Sequence, residues 1–507
     1  MKLPRLLIVL IMLLAFMSVN CIKLSAQTET KLVASDGAAG DNFGYRCAIS
    51  GEFVIVGSPY NDNEKGIDAG AAYIFHRKGD EWSETQKLTG SNTADSNLFG
   101  YAVDIDGDYA IVSACWSDQD GEKSGSAYIY KYNGSKWKEE AFLTANDAFK
   151  ADVFGIAAAI CGDYVIVGSL FDDDCGTTTG SAYIFKKMGT DWIEQDKLLP
   201  GDCAANDRFG VEVEIQGDYA LVTSQYDDNE MGHDAGAVYI FKRDGNNWQE
   251  LDKLIPADSA GNVGYGLGSI YADQIVVGAY ADDKILKNAG LAYIYNRYGD
   301  QWVEVDRLRP DDLKEGDQFG SFCSFYKERI AISANSADDV APDAGACYVY
   351  RWNKSEWYQE MKITPSDGDT LDKFGTQMDL DEEYLLIAAR YNDELGENAG
   401  AVYVYRLEPI ITRINDNELL TSGLFLIYPN PVRDQAILEY QLAKRERISI
   451  ELYDMQGIRV QSFLTQKMRQ SGIHEEIIHI DESIPVGNYF LVISNSTEKQ
   501  TIRITIQ

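Results

Sequence analysis

Seven aspartates recur along this chain at a spacing of about 55 residues: Asp62, Asp118, Asp173, Asp228, Asp283, Asp338 and Asp393. An aromatic ring stands two positions ahead of five of them, at Tyr60, Trp116, Phe171, Tyr226 and Tyr391. A second set, Asp41, Asp152, Asp207, Asp317 and Asp372, precedes an aromatic-glycine pair by two residues. Carboxylates in such numbers could hold a hard cation such as calcium, which prefers several oxygen ligands. The rings could serve as platforms for sugars or other ligands. The same aspartates could instead cap turns by accepting bonds from nearby backbone N–H groups. A ligand site usually breaks the symmetry of its scaffold, so the pattern assigns no metal centre and no cofactor.

Catalysis finds little support. Only His76 and His233 precede residue 407, and they fall at unlike places in the chain. The stretch "HEEIIH" at 474–479 places its histidines five apart in a β-branched segment. A zinc-protease motif needs them four apart on a helix. The residues therefore point to a binding protein rather than an enzyme.

Composition narrows the partners. The 507 residues hold 45 Lys+Arg against 80 Asp+Glu, a net charge of −35. A field of that sign repels nucleic acid and anionic lipid. With 45% hydrophobic residues the chain is a folded one. Residues 1–26 read as an export signal: Lys2 and Arg5, an apolar run from Leu6 to Met17, and a cleavage point between Ala26 and Gln27. The apolar run is short for a membrane span. Export makes disulfides permissible, and Cys175 and Cys203, in neighbouring loops, are the candidates. Cys47, Cys323 and Cys347 replace small or apolar residues of other copies and read as core.

The spacing of the aspartates belongs to an internal repeat. Phe-Gly stands at residues 43, 99, 154, 209, 319 and 374, with Val263-Gly264 filling the fifth place. A second phrase, as in "DAGAAYIF", has its glycine at 70, 125, 180, 236, 290, 345 and 400. Each copy holds four short strand-like runs separated by turn residues. Runs such as "YVIVGS" are continuously apolar, as a strand buried on both faces would be. Face-to-face stacking of four-stranded sheets does this in a propeller. The seventh copy lacks its fourth strand, while "ETKLVASDG" at 29–37 matches the end of a copy. The expectation is an all-β fold: a seven-bladed β-propeller over 27–406 whose N-terminal strand completes the last blade. Alternating strand direction places both sets of aspartates on one face.

These copies resemble the FG-GAP-type repeats of integrin α-subunit propellers and of exported bacterial proteins. The family's D-x-D-x-D-G calcium loop is replaced here by tight turns such as "IQGDYA", and only Asp104, Asp106 and Asp108 retain part of it. Its calcium sites therefore do not carry over. Charge changes after residue 406, and a linker over 407–423 leads to a small antiparallel β-sandwich of about seven strands over 424–507. The order Tyr428-Pro429-Asn430-Pro431, then Gly457 in "LYDMQG", then Gly487 and Tyr489 in "PVGNYFLVIS" resembles the C-terminal sorting domain of the type IX secretion system. That resemblance implies the type IX machinery as partner and a Gram-negative cell surface, or the medium beyond it, as destination. The functional expectation is an exported binding or adhesion module for a protein or glycan. The alternative is a cell-envelope scaffold without a discrete ligand. Loops of the fifth and sixth copies, "YADDKILKNAG" and "NSADDVAPDAG", depart most from the rest and mark the place for a site.

Overall fold

A computed structural model describes residues 29–256 and 263–407, and most of 425–506 apart from 429–431, 434, 443, 454–457, 482–483 and 495–498. The export signal with Ala26 and Gln27, nearly all of the linker, Pro429, Asn430, Pro431 and Gly457 lie outside the described residues.

Seven four-stranded antiparallel sheets succeed one another along residues 29–406. Blade 3 shows the plan. Its innermost strand, Phe154–Cys161, pairs with Tyr164–Ser169, which pairs with Ser181–Met188, which pairs with the outer strand Asp191–Leu198. Tyr164–Ser169 is buried at every residue, because blades cover both of its faces. The innermost strands touch in cyclic order, and Gln377–Leu380 of blade 7 meets Cys47–Ser50 of blade 1. Glu29–Leu32 supplies the outer strand of blade 7, with Glu29 opposite Tyr405 and Leu32 opposite Val402. Leu32 is buried among Val402, Val404 and the side chains of blade 1. The ring is thus closed by its first strand, as the repeat pattern predicts.

Aromatic packing works within and between blades. Within blades 2 and 4, Phe99 meets Tyr128 and Phe209 meets Tyr239 edge-on at 5.3 Å. Between blades, Tyr109 meets Trp192 at 5.9 Å and Tyr164 meets Trp248 at 6.0 Å, again edge-on. The glycine of the second phrase admits the backbone of the next blade: a Cβ on Gly70 would stand 2.1 Å from the Phe99 carbonyl oxygen, at a φ of +81°.

The fifth blade corrects the sequence reading. Tyr265-Gly266, rather than Val263-Gly264, takes the Phe-Gly place. Tyr265 is fully buried and stands edge-on to Tyr293 at 5.6 Å. Gly236 packs against its carbonyl as Gly70 packs against Phe99. The bulge that follows is one residue shorter than in blade 4, so the following positions shift by one.

The C-terminal unit has two antiparallel sheets. One contains Phe425–Tyr428, Gln435–Leu442 and Gly472–His479; the other contains Arg459–Arg469, Glu446–Tyr453, Gly487–Ser494 and Lys499–Ile506. Leu438, Ile450, Leu452, Leu491 and Ile504 fill its core. Tyr428 pairs with Ile437, and the buried Tyr489 donates its hydroxyl to the Pro485 carbonyl at 2.7 Å. "HEEIIH" lies on the strand Gly472–His479. Among the described residues no helix is long and apolar enough to cross a membrane.

Candidate functional site

In six of the seven blades the loop-closing aspartate does one job. Oδ1 of Asp62, Asp118, Asp173, Asp228, Asp338 and Asp393 accepts a bond from a backbone N–H five or six residues ahead, at 2.6–2.9 Å. The donors Asp68, Lys123, Thr178, Asp234, Asp343 and Asn398 all have φ near +50°, and Asn288 of the fifth blade, in the loop of Asp283, has φ +49°. The side-chain bond therefore fixes a left-handed residue just before the blade-contacting glycine. Asp41, Asp152, Asp207, Asp317 and Asp372 are buried, and each accepts the N–H of the residue three positions earlier. Burial pushes the Asp152 and Asp207 carboxyls up to about 6. Trp116 N–H donates to the Asn97 carbonyl and Phe171 N–H to that of Asp152, which brings both loop types onto one face.

Around this face the side chains are not sevenfold. Rings stand in blades 7, 1, 2, 3 and 4, while blades 5 and 6 have Ala281 and Ser336 in their place. Cations lie on the rings. Lys123 Nζ is 3.9 Å from the Trp116 centroid, Arg208 lies over Tyr226 at 4.5 Å and Phe171 at 5.8 Å, and Arg390 lies over Tyr391 and Tyr45 at 4.8 and 4.9 Å. Tyr45 also meets Tyr60 and Tyr101. Two residues beyond the loop-closing aspartate stand Glu64, Asp120 and Glu230 in blades 1, 2 and 4, but Ile285, Val340 and Leu395 in blades 5, 6 and 7. Blade 3 has Cys175 there, and it forms a disulfide with Cys203 of the next turn. Cys47, Cys323 and Cys347 are buried free thiols.

Two groups were not read from the sequence. The first is a clasp between blades. Lys197 Nζ sits 2.7, 2.9 and 2.6 Å from Asp147, Asp172 and Asp174, and the Tyr183 hydroxyl bonds Asp147 and Asp172 at 2.8 Å. Lys87, Lys253, Lys362 and Lys31 repeat it with Asp36, Asp202, Asp312 and Asp367. Burial works against the charged Lys197, but its carboxylate and tyrosine partners hold its pKa above the ordinary value. An ammonium thus fills the carboxylate cluster that a metal ion would need. The readable signal was the lysine that precedes leucine at the end of most copies. The second group lines the axis, around a cavity of about 190 Å3. Oxygens of Asp104, Glu214 and Asp379 accept the N–H of Ile160, Ile270 and Ile49 of the next blade at 2.7, 3.1 and 2.8 Å. Burial pushes these carboxyls up to about 8, 8 and 7. Arg46 crosses the axis to pair with Glu212 and bonds Gln377 at 2.8 Å. Asp106 bonds the Gly162 N–H at 2.7 Å, so this part of the calcium-loop remnant also stitches blades.

The histidines of the ring stand apart. His76 stacks on Phe53 and faces Glu52 at 3.6 Å, and His233 lies 2.9 Å from Asp234 and 3.8 Å from Asp228. The carboxylates of the ring hold loops and blades together.

The FG-GAP repeat pattern matches seven stretches, 27–75, 82–130, 137–185, 192–241, 248–295, 302–350 and 357–405. The pattern of a secretion system C-terminal sorting domain matches 426–507. No curated protein matches the chain in sequence. Among solved structures, PorZ of Porphyromonas gingivalis, a surface component of the type IX secretion system, is 12% identical. The match covers 94% of this chain and 61% of that one, with a TM-score of 0.46. The chain thus spans about three-fifths of PorZ's length. The β-propeller domain of the Trilobed protease from Pyrococcus furiosus is 10% identical, over 75% of this chain and 99% of that one, with a TM-score of 0.41. Pyrococcus horikoshii acylaminoacyl peptidase is 12% identical, over 79% and 58%, with a TM-score of 0.42.

Proposed function

The chain belongs to the FG-GAP repeat family and ends in a secretion-system sorting domain, and from that premise we propose that it is a type IX-exported propeller displayed at the cell surface or released from it, binding through its loop face without catalysis. The observation that supports recognition is the contrast between loop backbone and loop decoration. Six blades close their loops with the same aspartate bond, yet rings, cations and aliphatic residues are distributed unequally around them. A scaffold alone has no use for that inequality. Loops on a rigid closed ring are a common seat of recognition. The binding candidates are Tyr60, Trp116, Tyr226 and Tyr391 with the cations stacked on them; the aspartates hold the loops that carry these groups.

Export is tested in cells. Deleting 424–507 leaves the propeller in the periplasmic fraction, whereas the full chain is cut by protease added to intact cells. Surface cleavage of the truncated chain at the full-length level would remove the sorting role.

A further inference from the structure

Three adjacent blades alter the loop face in the same way. Ile285, Val340 and Leu395, which replace the carboxylates of blades 1, 2 and 4, are 70, 46 and 40% exposed. Leu371, 55% exposed, joins them from the turn before blade 7, whose N–H donates to the Pro342 carbonyl in the Val340 loop. The loop fold does not require apolar residues here, since blades 1, 2 and 4 close the same loop with Glu64, Asp120 and Glu230. Val340 and Leu395 rest one side on Gly368 and Gly37 and leave the rest to solvent. Blades 5 and 6 also have small residues, Ala281 and Ser336, where the others carry rings. Exposed aliphatic residues at one position of three successive loops, set in a polar frame, are apolar surface of the kind that marks protein-binding sites.

Charge selects the partner. In the loops around this patch acids outnumber bases by more than two to one. Some of its cations are already engaged: Lys373 with Asp343, Lys284 near Asp282, and Lys362 of the adjoining outer strand with Asp312 and Asp339. A second copy would bring a net charge of −35 against the same charge. A sugar chain offers isolated aliphatic side chains little apolar area to cover. We propose that the loops of blades 5 to 7 dock a basic, aliphatic-bearing segment of another protein, with the acidic frame steering it and Ile285, Val340, Leu371 and Leu395 receiving its apolar side chains. This rests on the loop face being the recognition surface, and it goes further by naming the blades and the partner's chemistry.

The test uses the full chain and fluorescent peptides read by anisotropy at low and at physiological salt. One peptide is built of lysine, leucine and glycine; matched peptides replace leucine by serine or lysine by glutamate. The expected result is binding of the lysine–leucine peptide that weakens with salt and falls at least about tenfold in the combined variant Ile285→Ser, Val340→Ser, Leu395→Ser. Ile67→Ser, at an exposed aliphatic residue of the same face outside the patch, leaves it unchanged. All of these side chains are exposed, and an unaltered melting temperature verifies the fold of each variant. Equal binding by the combined variant, or by the leucine-free peptide, overturns the patch and leaves only general attraction to an acidic surface. Loss in Ile67→Ser instead moves recognition elsewhere on the loop face, which overturns the patch but keeps the face. No binding of the lysine–leucine peptide to the unaltered chain overturns the partner class, while surface display, read separately by protease, still stands.

Discussion

Asp338 shows what a single repeated residue does in this fold. Its Oδ1 takes the N–H of Asp343, which stands at φ +55°, and thereby fixes the turn that delivers Gly345 to the Phe374 backbone. Losing one such bond from an exposed loop costs ~1 kcal/mol. Asp338→Ala should lower the urea midpoint accordingly, while Asp338→Asn, which keeps an acceptor, should stay close to the unaltered chain. Because the carboxylate is engaged with its own loop, calcium or a chelator should shift neither melting curve; a rise of several degrees with calcium would show that these loops hold a metal. The recurrence of these aspartates was plain in the sequence, but their bonds were not. A carboxylate before a glycine turn has the same letters whether it holds backbone or a cation. Only the distances of 2.6–2.9 Å to N–H groups separate the two here.

At the scale of elements, the blades were legible because their signals are strong and redundant. Continuous apolar runs marked the second strands, and two phrases kept the register over seven copies. The missing last strand and the surplus first one then implied each other. Leu32 carries that closure: it is 4% exposed and packs with Val402 and Val404. Leu32→Ala should cost about 3 kcal/mol and, by loosening blade 7, should expose Ala401–Arg406 to hydrogen exchange ahead of the other third strands. Unchanged protection there would show that the first strand is dispensable. Blade 5 was misread because the glycine of Val263-Gly264 imitates the motif. The constant distance from the preceding contact glycine to the aromatic residue, 236 to 265 as 70 to 99, was the better guide. The clasps escaped notice because lysine and aspartate from different copies meet only when outer strands lie side by side. The axial carboxylates did too, since a polar residue in an inner strand gives no sign of facing a shared channel.

For the whole molecule, the buried axial carboxylates and the half-exposed clasp aspartates respond to pH in opposite senses. Asp104, Glu214 and Asp379 have pKa values raised by burial to about 8, 8 and 7, so the folded ring holds their protons more tightly than the unfolded chain does. Their stabilisation is complete in acid, below the unfolded value, and is lost as pH rises through the folded one. The clasp residues Asp36, Asp202, Asp312 and Asp367 go the other way. Burial alone would raise them, but lysine and tyrosine bonds hold them low. Their stabilisation is present above the unfolded value and is lost as pH falls through the folded one. The melting temperature should therefore decline from about pH 5 to about pH 8, and Asp104→Asn should make that decline shallower. Identical slopes would mean that Asp104 ionises as it would in water.

The first strand's pairing across the ring has a consequence for the order in which the molecule can be completed. Glu29 must wait for Tyr405, 376 residues later, before it can bond. Bringing such distant segments together costs roughly 5 kcal/mol of chain entropy by the logarithmic loop law. That cost is met only when the intervening blades have already shortened the path. Blades 1 to 6 contain all their own strands and can form as the chain emerges, whereas blade 7 stays a three-stranded fragment until the end. The last step of folding is therefore also the step that turns a flexible row of sheets into a closed, load-resistant ring. A nascent or threading chain remains an open arc until residue 405 is free to meet residue 29.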